Sequence, residues 1–229
     1  MKDKFYFIKQ PVVDVDDKGC PTVLFYELLL RETSTKRFPG TNFFDFIATE
    51  LGNYVFLNFL ARKIQQLLKN GQQYKYSVNI ETVQIDFNDT YLFLDNMKAQ
   101  AANIILEITE RQYSSSNSIG IIKFVSYARK LGYTVLIDDI DNYNNSNDCN
   151  MLLNEVDGIK FSHQLIKQNP LNKALEMISK FQDDYGKYDL LIIVEGVDDQ
   201  SHLHKLRDIG INNQQGYYFI EKNSNYLVE

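Results

Sequence analysis

Seven apolar runs in the sequence end on residues able to bind, donate or accept. They place Glu27 and Arg31 in "TVLFYELLLR", Asn79 in "YKYSVNI", Glu107 in "NIILEI", Asp138 and Asp139 in "YTVLIDD", Lys160 in "VDGIKFS", Glu195 in "DLLIIVEG" and Gln215 in "QQGYYFI". Singly, each has an ordinary explanation: an Asp after a strand caps the next helix, an Asn shapes a turn, a Lys is solvated at an edge. Converging on one place, five carboxylates and a carboxamide would repel unless cations sat among them. Like charges about 4 Å apart cost about 1 kcal/mol in water and more near protein. Divalent metal is the simplest remedy. The donors are all oxygens, which suits Mg²⁺ or Mn²⁺, with Ca²⁺ as an inhibitory substitute, and argues against a thiolate-rich zinc site. An Asp-Asp pair can bridge two ions about 3.5–4 Å apart, the separation used for in-line displacement at phosphorus. Phosphodiester hydrolysis is the leading reaction class. His202 and His204 form a lone H-x-H in a helical stretch and read as surface residues.

The elements that must position these groups alternate along the chain. Short runs rich in β-branched and aromatic residues read as strands: the seven above and "FYFI" near the start. Between them lie helical patterns, at about 118–131, 170–185 and 199–209. In "GNYVFLNFLARKIQQLLKN", Val55, Phe56, Phe59, Leu60, Ile64, Leu67 and Leu68 make one apolar stripe. Strands apolar on both faces, alternating with helices, predict a parallel sheet wrapped by helices, and seven or eight units favour a closed (β/α)8 barrel over an open doubly wound sheet. In such barrels the reactive groups sit at the C-terminal strand ends, where the polar residues fall here. No glycine-rich phosphate fingerprint supports the dinucleotide-binding version of the rival. No linker divides the chain, so residues 1–229 are expected to form one domain.

Composition narrows the function. The 229 residues are 44% hydrophobic and 24% charged, and 30 acidic against 24 basic residues leave a net charge of −6. That balance excludes a broad basic face for duplex nucleic acid and requires local cations for any phosphate-bearing ligand. Cys20 and Cys149 have neither metal-ligand nor redox spacing. The "MKDKFYFIKQP" start carries too few apolar residues for a signal-peptide core, and no later run approaches a membrane span. A cytoplasmic protein is expected.

The ordered motifs resemble the EAL-domain cyclic di-GMP phosphodiesterases of bacteria, from about Phe5 to Phe219. "YELLLR" looks like the signature Y-E-A-L-L-R with Leu28 in place of the alanine. "SVNI", "LEITE", "IDD", "IKF", "VEGV" and "QGYYF" follow in family order. The resemblance implies a modified triosephosphate-isomerase-type (TIM-type) (β/α)8 barrel. It also implies a first metal held by Glu27, Asn79, Glu107 and Asp138, with Asp138 bridging to a second ion that Asp139 also binds. Glu195 would complete the acidic centre or orient a water. Lys160 would stabilise charge at phosphorus, Arg31 and Gln215 would grip the nucleotide phosphate and base edge, and Glu110 would tie down the loop after the Asp pair. The implied reaction opens cyclic di-GMP to linear pGpG. A homodimer through barrel helices is also implied. No sensor or cyclase domain fits in the remaining residues, so regulation by a separate protein, by expression or by dimerisation is expected.

Three departures stand out. Ser162 replaces the aspartate of K-x-D, "DDIDNYNNS" puts Ile140 and Asp141 in the Phe and Gly places of D-D-F-G, and Asp198 stands where a second Glu is common. A hydroxyl can hydrogen-bond but brings no charge, and a missing glycine costs about 1 kcal/mol if that position needs φ > 0. Two readings follow: a metal-dependent phosphodiesterase, favoured by the retained ligands, or a degenerate module that binds cyclic di-GMP or a protein without turnover.

Overall fold

A computed structural model of the protein describes residues 1, 3–69, 74–109, 118–140 and 147–220. In chain order the elements are β1 (Phe5–Val15), β2 (Pro21–Glu32), α1 (Thr41–Ile47), α2 (Glu50–Lys69), β3 (Lys75–Glu81), α3 (Asn88–Met97), β4 (Ile104–Thr109), α4 (Ser118–Lys130), β5 (Thr134–Ile140), α5 (Asn147–Leu153), β6 (Gly158–Phe161), α6 (His163–Gln168), α7 (Leu171–Tyr185), β7 (Leu191–Val194), α8 (Gln200–Asp208), β8 (Asn213–Gln215) and α9 (Tyr217–Ile220). The strands close into a barrel in sequence order.

The all-parallel expectation fails at one strand. β1 runs antiparallel to both β2 and β8, while every pair from β2 to β8 is parallel. The cause is local: Asp16 accepts from the backbone N–H groups of Lys18 and Cys20 at 2.9 and 2.8 Å, and this tight turn folds the first two strands into a hairpin. A (β/α)8 barrel modified in this way has the C-terminal ends of seven strands at its mouth. The eighth run, "QQGYYFI", is not a strand throughout. β8 stops at Gln215 and Tyr217–Ile220 turn helical. At Gly216 a Cβ would lie 2.1 Å from the Val197 carbonyl oxygen, so only glycine lets the chain turn there.

Two apolar layers hold the barrel. Outside, helix stripes pack on the strands. On α2, Phe56, Leu60, Ile64 and Leu67 are buried with Leu57, which the expected stripe omitted, while Val55, Phe59 and Leu68 are half-buried. Inside, Val12, Phe25, Ile105, Leu136 and Ile193 form a separate cluster that plugs the barrel. Side chains alternate across a strand with period two. Two residues beyond Phe25, Ile105, Leu136 and Ile193 stand Glu27, Glu107, Asp138 and Glu195. Each is therefore carried inward again, one layer above the plug.

Candidate active site

This pleat rule accounts for the assembled geometry. Lys160, from β6, has no exposure and stands amid four carboxylates. Its Nζ lies 2.8 Å from Glu195 Oε1, 2.9 Å from Glu107 Oε2, 3.1 Å from Glu27 Oε2 and 3.5 Å from Asp138 Oδ1. Glu27 is held further: Asn79 Nδ2 donates to Oε1 at 2.8 Å and Gln215 Nε2 to Oε2 at 2.7 Å. Asn79 and Glu107 are direct cross-strand partners between β3 and β4.

Consecutive strand residues should point to opposite faces, so the Asp138–Asp139 pair needs a device to bring both carboxylates to one mouth. Asp139 has φ 61°, in the left-handed region that Asp tolerates, and the β5–β6 register shifts between Ile137 and Ile140. The bulge resets the alternation. Asp138, Asp139 and Glu195 then bring carboxylate oxygens within 4.8 Å of one another, and so do Glu27, Glu107 and Asp138. Asp138 belongs to both groups.

One ammonium does not neutralise five carboxylates, and the proton affinities reflect it. Burial, the charge of Glu27 and the opposing pull of Lys160 leave Glu107 with its pKa pushed up to about 8. Burial likewise raises Asp138, and it raises Glu195 against the pull of Lys160. Glu27 behaves differently: burial opposes its charge, but Lys160 and the hydrogen bonds from Gln215 and Asn79 hold its pKa below the ordinary value. Lys160 stays charged because Asp138, Glu107, Glu195 and Glu27 outweigh its burial. Glu107 Oε1 is buried with no hydrogen-bond partner among the described residues, and Asp138 Oδ1 has only the 3.5 Å contact to Lys160. Oxygen donors in two overlapping triads, with unsatisfied buried oxygens, fit divalent cations.

Above these groups opens a cleft of about 320 Å³. Arg31 lines it, half-buried; its Nη1 donates to the Leu30 carbonyl at 2.8 Å, and no carboxylate pairs with it among the described residues. Gln215 is more buried than a base-edge contact would suggest. Its amide donates to Glu27, so the structure makes it a support of that carboxylate. Ser162 is buried and caps α6, its Oγ accepting from Gln164 N at 3.0 Å. Asp198 lies exposed at the cleft. Glu110 and Asp141 fall outside the described residues. Sequence reasoning missed the central position of Lys160 and the bulge at Asp139; the adjacent Asp pair at a strand end was the only available hint of the latter.

The sequence matches the model of the EAL domain over residues 2–222. The chain belongs to the EAL-domain family. No curated protein matches it significantly. Among solved structures, the fold is similar to that of the EAL enzyme Bd1971 in its cAMP- and cyclic-di-GMP-bound form (TM-score 0.73, 23% identity), covering 95% of this chain and 62% of that longer one. An EAL-domain protein from Listeria monocytogenes EGD-e superposes with a TM-score of 0.73 at 22% identity, covering 95% of this chain and 88% of that one. The PaMucR phosphodiesterase in complex with c-di-GMP gives 0.76 at 19% identity, with 94% and 90% covered. At these identities the likeness is one of fold. Among the described residues no helix is long and apolar enough to cross a membrane.

Proposed function

We propose that this EAL domain hydrolyses cyclic di-GMP to linear pGpG with two Mg²⁺ or Mn²⁺ ions, Ca²⁺ acting as an inhibitory substitute. The observation that carries the reading is the pair of carboxylate triads sharing Asp138 beneath an open cleft. Glu27, Asn79, Glu107 and Asp138 would hold one ion, and Asp138 with Asp139 the other. When bound, the ions supply Lewis-acid stabilisation at phosphorus and a more acidic attacking water.

The chain's own groups do the rest. Arg31, a planar donor with no carboxylate partner among the described residues, receives a phosphate oxygen. Glu195 is the least buried of the four carboxylates around Lys160, its side chain 16% exposed, and its raised pKa suits it to take the proton of the attacking water. The water oxygen then bonds to phosphorus, the P–O3′ bond opens on the far side, and O3′ takes a proton from solvent. Lys160 keeps a fixed positive charge behind this reaction. Gln215 and Asn79 keep the Glu27 carboxylate ionised and oriented. We also propose that residues 1–229 form one domain that works in the cytoplasm, with a second copy of the chain and a separate regulatory protein as candidate partners.

Ser162 favours the second reading, binding without turnover, because the carboxylate usual at that place is missing and the hydroxyl is engaged in capping α6. Hydrolysis measured with Mg²⁺ and Mn²⁺ on wild type and Glu27→Ala, beside binding measured in Ca²⁺, separates the two. Product formation lost on substitution supports the enzyme. Tight binding with no product supports the receptor.

A further inference from the structure

Helix α2 carries a wider apolar stripe than the barrel buries. Val55 and Phe59, expected to pack on the strands, are only half-buried. The reason is a second hollow of about 810 Å³ between α2 and the start of β1, larger than the cleft over the carboxylates and sharing none of its lining residues. Two rows of the helical repeat face it, one running Tyr54, Asn58, Arg62 and the other Val55, Phe59, Lys63. Phe5 and Tyr6 supply the β1 wall.

Two of its rings are held in place by the core. Phe59 stacks on Phe7 with centroids 5.4 Å apart, and Phe5 lies edge-on to Phe43 at 6.3 Å. Tyr54 stands more open, at 51% exposure. The charges that border the hollow are of one sign. In a chain of net charge −6, Arg62 and Lys63 line it, and among the described residues no Asp or Glu does. Arg62 has no carboxylate partner among the described residues. Lys36 adds a further cation close by, its Nζ 5.2 Å from the centre of the Tyr6 ring. Flat apolar walls suit an aromatic body. An unpaired guanidinium beside them suits a carboxylate, which it grips through two parallel hydrogen bonds. The volume is that of a small-molecule site.

We infer that this hollow is a second binding site, for small aromatic carboxylates, separate from the cleft over the carboxylate cluster. The aromatic body lies among Phe59, Phe5 and Tyr54, with its carboxylate against Arg62. The site stands independently of the reaction proposed above. Arg62→Gln removes the charge but keeps a polar side chain, and it should weaken binding about tenfold, the scale of one hydrogen-bonded charged pair. Val55→Trp should fill the hollow and abolish binding.

The test titrates the whole chain, in chelator, with 2-naphthoate by calorimetry, beside the neutral isostere 2-naphthamide and the aliphatic anion decanoate. The expected result is saturable binding of a single 2-naphthoate per chain, with weaker binding of the amide and of decanoate. Arg62→Gln should weaken the naphthoate while melting near the wild-type temperature, because Arg62 is exposed. If Val55→Trp does not fold, Arg62→Gln carries the test alone. Arg31→Ala, which alters the other cleft, should bind 2-naphthoate as wild type does. No binding by wild type, equal binding of the amide or of decanoate, or binding lost in Arg31→Ala but unchanged in Arg62→Gln, overturns the proposal.

Discussion

The inner and outer halves of the carboxylate cluster are built on different principles. Glu27 and Glu107, on β2 and β4, are buried at regular strand positions, with Glu27 fixed by Asn79, Gln215 and Lys160 and Glu107 by Lys160. Asp138, Asp139 and Glu195 sit where regularity ends: the first two within the β5–β6 register shift, Asp139 in a left-handed conformation, and Glu195 one position past the end of β7. The inner half is set by the barrel itself and is costly to alter. The outer half depends on local backbone geometry.

Substitutions should expose that difference, most strongly at the inner half. Glu27→Ala removes the group that three donors converge on, and turnover of cyclic di-GMP should fall about a thousandfold, the scale of losing a preorganised electrostatic group, as measured by pGpG release. Lys160→Met leaves the buried carboxylates without their cation. In chelator the protein should lose about 3–5 kcal/mol of stability, read by denaturant titration, and added Mn²⁺ should restore more of that loss than it adds to wild type. An unchanged midpoint in chelator would mean that the ammonium is not what holds the acids together.

Acidity gives a third comparison. Glu107 titrates at about 8 when no ion is bound, and Asp138 and Glu195 are also raised. Below pH 8 an entering cation must displace the Glu107 proton, so apparent metal affinity should rise as pH climbs from 6.5 towards 8 and flatten beyond it, with proton release on binding. Calorimetry of Mn²⁺ binding at pH 6.5 in buffers of different ionisation enthalpy measures the release directly. No buffer dependence would place ionised carboxylates in the metal-free site. The smallest effect belongs to Ser162→Asp. Both residues cap helices well, so stability should change by only about a few tenths of a kcal/mol, while turnover should rise if the missing charge limits it.

Much of the cluster, in both halves, is legible because strand periodicity is a sequence property. The apolar residue two before each of Glu27, Glu107, Asp138 and Glu195 marks the inward face, and those apolar residues form the barrel plug. Strand direction was not legible: "FYFI" carries no sign that it runs backwards, and the reversal comes from a turn around Asp16. Nor does alternation predict that adjacent aspartates face one mouth, since a bulge breaks the very rule being applied. The family resemblance implies a ligand contact for Gln215, whereas its burial, known only once β8 lies beside β1, turns its amide towards Glu27.

The account rests on Asp138 serving two cation positions at once. Mn²⁺ binding stoichiometry, measured by paramagnetic resonance or calorimetry on wild type, Asp139→Asn and Asp138→Asn, tests it most directly. The expected counts are two ions for wild type, one for Asp139→Asn, and marked weakening of both positions for Asp138→Asn. A single ion in wild type, or two ions undisturbed by Asp138→Asn, would contradict it.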